Sequence, residues 1–413
     1  MLIAVPGNAG PKYAARVAAP WTGTWSTGPT EATPDTAPLP ADCTVRQVVH
    51  LSLGGAAPRV HLTNRYGPER IRFGEVWIGV RAGDPDSTAM WPGTIRPVTF
   101  DGRTEGRLPA WGDLVSDPVP DLPLAPGADL VISFHLPERT RTGTLSPHSF
   151  QHGRVLTGNV AAAPAPPAGA VITRYVLLGG VSVRTAGPSS AVVAFGDSIT
   201  CGTQTTLDAD RRWPDLLAAR VRAAGLPLGV LNAGIGGNRL LTGAEVRGAA
   251  PVGALAQATP PTVRRQYGPA GLRRFDPDVL DQPGVSHVIT LIGVNDIGSG
   301  GATAEALIAG HRALLRRSRA AGLSVVGGTL LPFGGSMYDE PAHRSARLTL
   351  NRWIREGGEF DAVADFDAAV RDGADPERLA AAYDSGDHLH PNDAGMLALA
   401  GAVPLTALSP VTR

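Results

Sequence analysis

AVVAFGDSIT, residues 191–200, decides how the rest of the chain is read. Ala191 to Phe195 are apolar and short enough for a strand, and Gly196 ends the run where the backbone needs freedom. Asp197 and Ser198 then stand at the turn. Both residue types are ordinary helix caps, whose oxygens accept orphan backbone N–H groups, but a strand-to-helix turn is also a common seat for a nucleophile. From these ten residues alone a cap and a catalytic serine are both open, so the flanking sequence has to decide.

Downstream the pattern alternates strand and helix. WPDLLAARVRAAG (213–225) repeats apolar residues at helical spacing through Leu216, Leu217, Ala218 and Val221, and Gly225 closes it. PLGVLNAG, HVITLIGVND and LSVVGGTLLPF read as further strands, with AEALIAGHRALLRRSRAAG and AHRSARLTLNRWIREGG as helices and DAVADF as the last strand. Such alternation predicts a parallel sheet covered by helices on both faces, with ligands at the carboxyl ends of its strands. AVVAFGDSIT, NAGIGGNR and GVND all end at that edge.

Upstream the pattern is different. CTVRQVVHLSL, RVHLTNRYG, IRFGEVWIGVRA, DLVISFHLP and VITRYVLLGGVSV are β-type runs separated by turn clusters, without helical periodicity, and predict an antiparallel β-sandwich of jelly-roll-like type. RTAGPSS (184–190) reads as the linker. The expected division is therefore an N-terminal sandwich over 1–185 and an α/β catalytic domain over 186–413.

The chain has 413 residues, with 37 basic and 37 acidic side chains, which leaves no global field to collect nucleic acid or an anionic membrane. Its single lysine, Lys12, leaves nearly all positive charge on arginine. Cys43 and Cys201 match no metal spacing or disulfide framework and read as free thiols. No window approaches a membrane span, and the N-terminus lacks the order of an export signal. A cytoplasmic location is the expectation for the chain as written, or secretion if a signal has been removed.

Acyl transfer needs a nucleophile, a base, an orienter for the base and donors for an oxyanion, and four separated pieces supply them. Ser198 offers the hydroxyl. In DSGDHLHPNDAG, Asp387 and His390 are three apart, close enough for the carboxylate to hold one imidazole nitrogen while the other faces the serine. His388 is the rival base, but its adjacency to Asp387 points it elsewhere. Asp387, His388 and His390 also offer a metal group, yet no further Asp, Glu, His or Cys cluster completes it, so neither metal nor cofactor is expected. Gly237 in NAGIGGNR and Asn295 in GVNDIG are candidate oxyanion donors beside the backbone N–H of Ser198, against the plainer roles of a tight turn and an Asx turn.

Together these residues resemble the SGNH/GDSL hydrolase superfamily, named for a Ser, Gly, Asn and His spread over four blocks in this order. Ser198 matches the GDS block, Gly237 the Gly block, Asn295 the GxND block, and Asp387 with His390 the closing DxxH block. The resemblance implies a flavodoxin-like three-layer α/β/α fold and a serine esterase without the GxSxG elbow of α/β-hydrolases. WTGTW, TVRQVVHLSLGG, VSDPV, RRFDPDVL and GDHLHPNDAG extend it to a two-domain actinobacterial type with a β-sandwich before the hydrolase. Two departures stand out. Cys201 occupies a place where relatives often carry a polar residue, and the stretch from Thr242 to Leu272 is longer than the usual connection and reads as a lid.

The expected substrate is a short-chain acyl ester of a sugar, glycoside or other small polyhydroxylated metabolite. A lipid or thioester hydrolase, an acyltransferase using the same acyl-enzyme, and a glycan-binding protein with a degenerate hydrolase domain stay open. The sandwich either shapes one wall of the active site or binds glycans. The sequence sets no oligomeric state.

Overall fold

A computed structural model describes residues 21–243 and 265–409. From Ser190 onward, five strands form one parallel sheet in the chain order 2-1-3-4-5: Leu228–Gly234, Ser190–Gly196, Val285–Leu291, Ser324–Gly328 and Ala362–Ala364. Ala191–Phe195 pairs on both sides, with Leu228–Gly234 and with Val285–Leu291, and is wholly buried. A central parallel strand has to be apolar on both faces, which is why AVVAF shows no alternation.

The helices gather in two groups. Trp213–Ala223 packs against Asp393–Ala402, which also meets Phe366–Val370. Ala304–Ala320 packs against Pro341–Glu356 and against Gly271–Phe275. Their buried stripes follow helical spacing: Trp213, Leu217, Ala218 and Val221 in one, and Leu307, His311, Leu314, Leu315 and Ser318 in another. Thr303 caps the latter by accepting from the Ala306 N–H at 3.3 Å.

Before Ser190 the strands are antiparallel. Thr22–Ser26, Leu178–Arg184, Ala56–Thr63 and Asp113–Val115 make one sheet in that order. A larger sheet centres on Cys43–His50 and Asp129–Leu136, paired along their full length. Val60, Leu62, Val181 and Val183 of the first sheet share a core with Val45, Val49, Ile78, Ile132 and Phe134 of the second. Arg46 is fully buried in this setting because its guanidinium donates to the carbonyls of Thr88, Val160, Ala161 and Ala163, pinning the Pro-rich loop to the sheet.

Two expected strands are broken. IRFGEVWIGVRA divides into Ile71–Phe73 and Val76–Ala82, and VITRYVLLGGVSV into Ala170–Ile172, Tyr175–Val176 and Leu178–Arg184. In the second case Leu177 takes a left-handed φ of 54°, turning the chain from one sheet to another.

The β-rich part lies against the parallel sheet along Thr22–Ser26. Gly23 N–H donates to the Pro283 carbonyl at 2.9 Å, and Val230 N–H to Ser52 Oγ at 2.9 Å. Further along, Asp208 N–H donates to the Phe150 carbonyl at 2.9 Å and Gln151 Nε2 to Asp210 at 2.9 Å. His50 Nδ1 lies 2.8 Å from Asp129 and 3.4 Å from Asp210, joining the two parts. Among the described residues no helix is long and apolar enough to cross a membrane.

Candidate active site

The strand Ser190–Gly196 delivers Asp197 and Ser198 to the carboxyl edge of the sheet. Asp197 caps the short helix Ser198–Cys201, accepting from the Ile199 N–H at 3.1 Å, so the capping role read from the sequence belongs to this residue. Ser198 is the first helical residue and is 8% exposed. Its Oγ lies 2.9 Å from His390 Nε2.

The opposite ring nitrogen, His390 Nδ1, lies 2.6 Å from Asp387 Oδ2. The other carboxylate oxygen of Asp387 accepts from the His390 N–H at 2.8 Å, the Leu389 N–H at 2.9 Å and Ser385 Oγ at 3.1 Å. Burial pushes the Asp387 carboxyl upward, but the His390 ring and these backbone donors outweigh it and hold the group well below the usual carboxylate range. The carboxylate stays ionised and keeps the proton of His390 on Nδ1, leaving Nε2 as an acceptor toward Ser198. His388 takes φ 61°, and its ring turns to Asp384 with no contact to Ser198.

Gly237 and Asn295 follow the two strands that flank Ser190–Gly196. Gly237 has φ +71°, and a Cβ there would lie 2.4 Å from the Tyr267 ring, so only glycine is accommodated in this turn. Among the described residues no acceptor faces the backbone N–H of either Ser198 or Gly237. Asn295 lies in the short helix Val294–Gly298, not in an Asx turn, and is 5% exposed. Its Nδ2 donates to the Asn238 carbonyl at 3.0 Å. Five groups from four chain segments therefore converge at one sheet edge.

Three residues that sequence reasoning did not assign hold this edge together. Asp296 is buried and accepts from the N–H groups of Leu240 at 2.7 Å and Leu241 at 2.9 Å, tying the Gly237 loop to the Asn295 helix. Burial raises its pKa to about 6 against those two donors. Arg274 is buried and donates to Gly196 O at 2.7 Å, Ala233 O at 2.7 Å, Asn238 Oδ1 at 2.9 Å and Asp278 Oδ2 at 2.9 Å. Tyr338 Oη donates to Asn295 Oδ1 at 2.9 Å. Asp296 and Arg274 stand in the quoted GVND and RRFDPDVL motifs; Tyr338 carries no local signal.

Burial pushes Asp197 to about 7, opposed by the Ile199 N–H and by the nearby His390, and its Oδ2 has no partner. Cys201 is buried, and burial pushes its thiol up to about 11, so it adds a neutral group in the same short helix as Ser198. Of the Thr242–Leu272 segment, residues 244–264 lie outside the described residues. Its end is held where Asn238 Nδ2 donates to the Tyr267 and Pro269 carbonyls at 2.6 and 2.8 Å.

Residues 194–398 match the GDSL-like Lipase/Acylhydrolase family. The chain carries a GDSL-type acylhydrolase domain. The matched region runs from Ala194, in the strand that precedes Ser198, to Ala398, so Ser198, Gly237, Asn295, Asp387 and His390 all lie within the GDSL domain, which supports the general hydrolase class. Similar solved structures include TesA, 22% identical, TM-score 0.38, covering 54% of this chain and 99% of that one. A carbohydrate acetylesterase family member from Sinorhizobium meliloti is 16% identical, TM-score 0.37, covering 54% and 97%. A carbohydrate esterase family 3 protein from Talaromyces cellulolyticus is 19% identical, TM-score 0.35, covering 53% and 96%. A search of curated proteins gave no match.

Proposed function

We propose that the protein is a serine esterase that releases a short acyl group from a sugar, glycoside or similar polyhydroxylated alcohol through an acyl-enzyme on Ser198. The observation that carries this reading is the continuous hydrogen-bond chain from Ser198 Oγ through His390 to Asp387, at 2.9 and 2.6 Å. Ser198 Oγ attacks the ester carbonyl carbon as His390 Nε2 takes its proton, and Asp387 stabilises the imidazolium through Nδ1–H. The carbonyl oxygen, now an oxyanion, receives the N–H groups of Ser198 and Gly237 and the Asn295 amide. Collapse breaks the bond to the alcohol, which takes the proton from Nε2. Water then attacks the acyl-serine, gives a proton to His390, and the carboxylic acid leaves as Ser198 recovers its hydrogen.

The same reading gives the catalytic unit, from residue 186, three layers, with the two helix groups on opposite faces of the sheet, and makes residues 1–185, of which 1–20 lie outside the described residues, a separate sandwich domain. That domain shapes one wall of the site. Supporting this, a Cβ on Gly236 would lie 3.5 Å from the His148 ring, and Phe150 is stacked at a tilt 6.1 Å from His148. The balanced net charge supports a small soluble alcohol over a membrane lipid.

Initial rates on 4-nitrophenyl esters of graded acyl length and on acetylated sugars test the proposal. Activity should be highest on the short acyl chains and lost in Ser198→Ala. Turnover by Ser198→Ala at the wild-type rate would refute it.

A further inference from the structure

We infer that Tyr338 is a positioning residue for the oxyanion site, fixing the Asn295 amide with its N–H toward the reacting carbonyl. The inference rests on the reading of Asn295 as an oxyanion donor. An asparagine amide presents an acceptor on one side and two donors on the other, and its orientation is set by its neighbours. On one side of Asn295 is the Asn238 carbonyl, which can only accept, 3.0 Å from Nδ2. On the other is Tyr338 Oη, 2.9 Å from Oδ1. A flipped amide would face the Asn238 carbonyl with its own oxygen, placing two acceptors together in a buried site.

Burial raises the Tyr338 pKa, so the phenol keeps its proton and acts as a donor. One Nδ2 hydrogen is used by Asn238, and the second has no acceptor among the described residues. The hydroxyl does more than orient. By donating to Oδ1 it polarises the amide, which strengthens the remaining N–H as a donor to developing negative charge.

The surroundings hold the ring in place. A Cβ on Gly298 would lie 2.1 Å from the Tyr338 ring, so this glycine lets the ring lie directly on the Asn295 helix. Tyr338 itself is 5% exposed. Ser299 Oγ donates to the Asn295 carbonyl at 2.8 Å and accepts from Arg239 Nη2 at 2.9 Å, which fixes the backbone of the same residue. Ser299 also hydrogen-bonds the Tyr338 phenol, so the phenol joins Asn295 at the amide and, through Ser299, at the backbone, while Arg239 gives Ser299 a second hold.

The test is a double-mutant cycle with Tyr338→Phe and Asn295→Ala, reading kcat and KM on 4-nitrophenyl acetate, with thermal unfolding as a check on the fold. Phenylalanine retains the ring on Gly298, so the unfolding temperature should not move appreciably. Tyr338→Phe should lower kcat by about 5- to 10-fold, the worth of one neutral hydrogen bond, with KM unchanged. Asn295→Ala should lower kcat by about 100- to 1000-fold, and adding Tyr338→Phe to it should cost nothing more. An unchanged kcat in Tyr338→Phe, or the same further loss in the Asn295→Ala background, overturns the inference while leaving the donor role of Asn295 intact. If Asn295→Ala keeps wild-type kcat, the oxyanion reading itself fails and the positioning role falls with it.

Discussion

Arg274→Met probes how the catalytic edge is held together. Methionine retains the apolar stem against Phe195, over whose ring the guanidinium carbon lies 4.1 Å from the centroid, and removes the charged head. Four acceptors lose a donor, but three keep other support: Gly196 O accepts from the Ile235 N–H at 3.2 Å, Ala233 O lies in the parallel ladder beside Gly196, and the other carboxylate oxygen of Asp278 is bonded by Arg65 at 2.7 Å. Asn238 Oδ1 bears the larger loss, at about 1–3 kcal/mol for a buried acceptor left without its donor. Burial opposes the charge of Arg274, lowering its pKa despite Asp278, so removing the guanidinium returns part of that loss. We expect a net cost of about 2 kcal/mol. At roughly 2–4 °C per kcal/mol for a unit of this size, the melting temperature should fall by roughly 4–8 °C by calorimetry or dye-monitored unfolding. Arg274→Lys should not rescue it, because one ammonium cannot reach acceptors on four segments. A fall below about 2 °C in Arg274→Met would show that the buried network contributes little.

Two further perturbations act on named contacts. His390→Ala should be as damaging to kcat as Ser198→Ala, since members of a triad act as a unit, whereas His388→Ala should stay within a few-fold of wild type because its ring is engaged by Asp384. For His50, burial acts to lower the pKa, but Asp129 and Asp210 outweigh it and raise the imidazole above its ordinary value. A raised folded-state pKa contributes stability that is full below the unfolded value of about 6.5 and is lost as pH rises through the folded value. The melting-temperature difference between wild type and His50→Gln should therefore be larger at pH 6 than at pH 9, and an equal difference at both would remove the ionic account of this contact.

The sequence shows the parts of the site whose logic is local. AVVAF ends at a turn, GDS places the proposed nucleophile Ser198 in that turn, and Asp387 and His390 are close enough in the chain for one loop to bring them together. The distinction between His388 and His390 is also local, since a residue adjacent to the carboxylate cannot face the serine from the same turn, and the left-handed backbone of His388 directs it to Asp384. The pieces that escape sequence reading act across the fold. Tyr338 reaches Asn295 from a loop 43 residues away, and Arg274 joins strand ends that are distant in the chain. Neither alters periodicity or turn chemistry. The broken strand at Leu177 escapes for a related reason, because a leucine carries no local sign of a left-handed φ.

The proposed ester hydrolysis requires Ser198 to be an activated nucleophile, and a fluorophosphonate reads that property directly. Intact mass and peptide mapping after exposure to the probe should show one adduct per chain, on the peptide containing Ser198. Ser198→Ala should take up none, and His390→Ala should label far more slowly. An unlabelled wild-type protein that still hydrolyses esters, or an adduct on a different residue, would contradict the nucleophile role of Ser198.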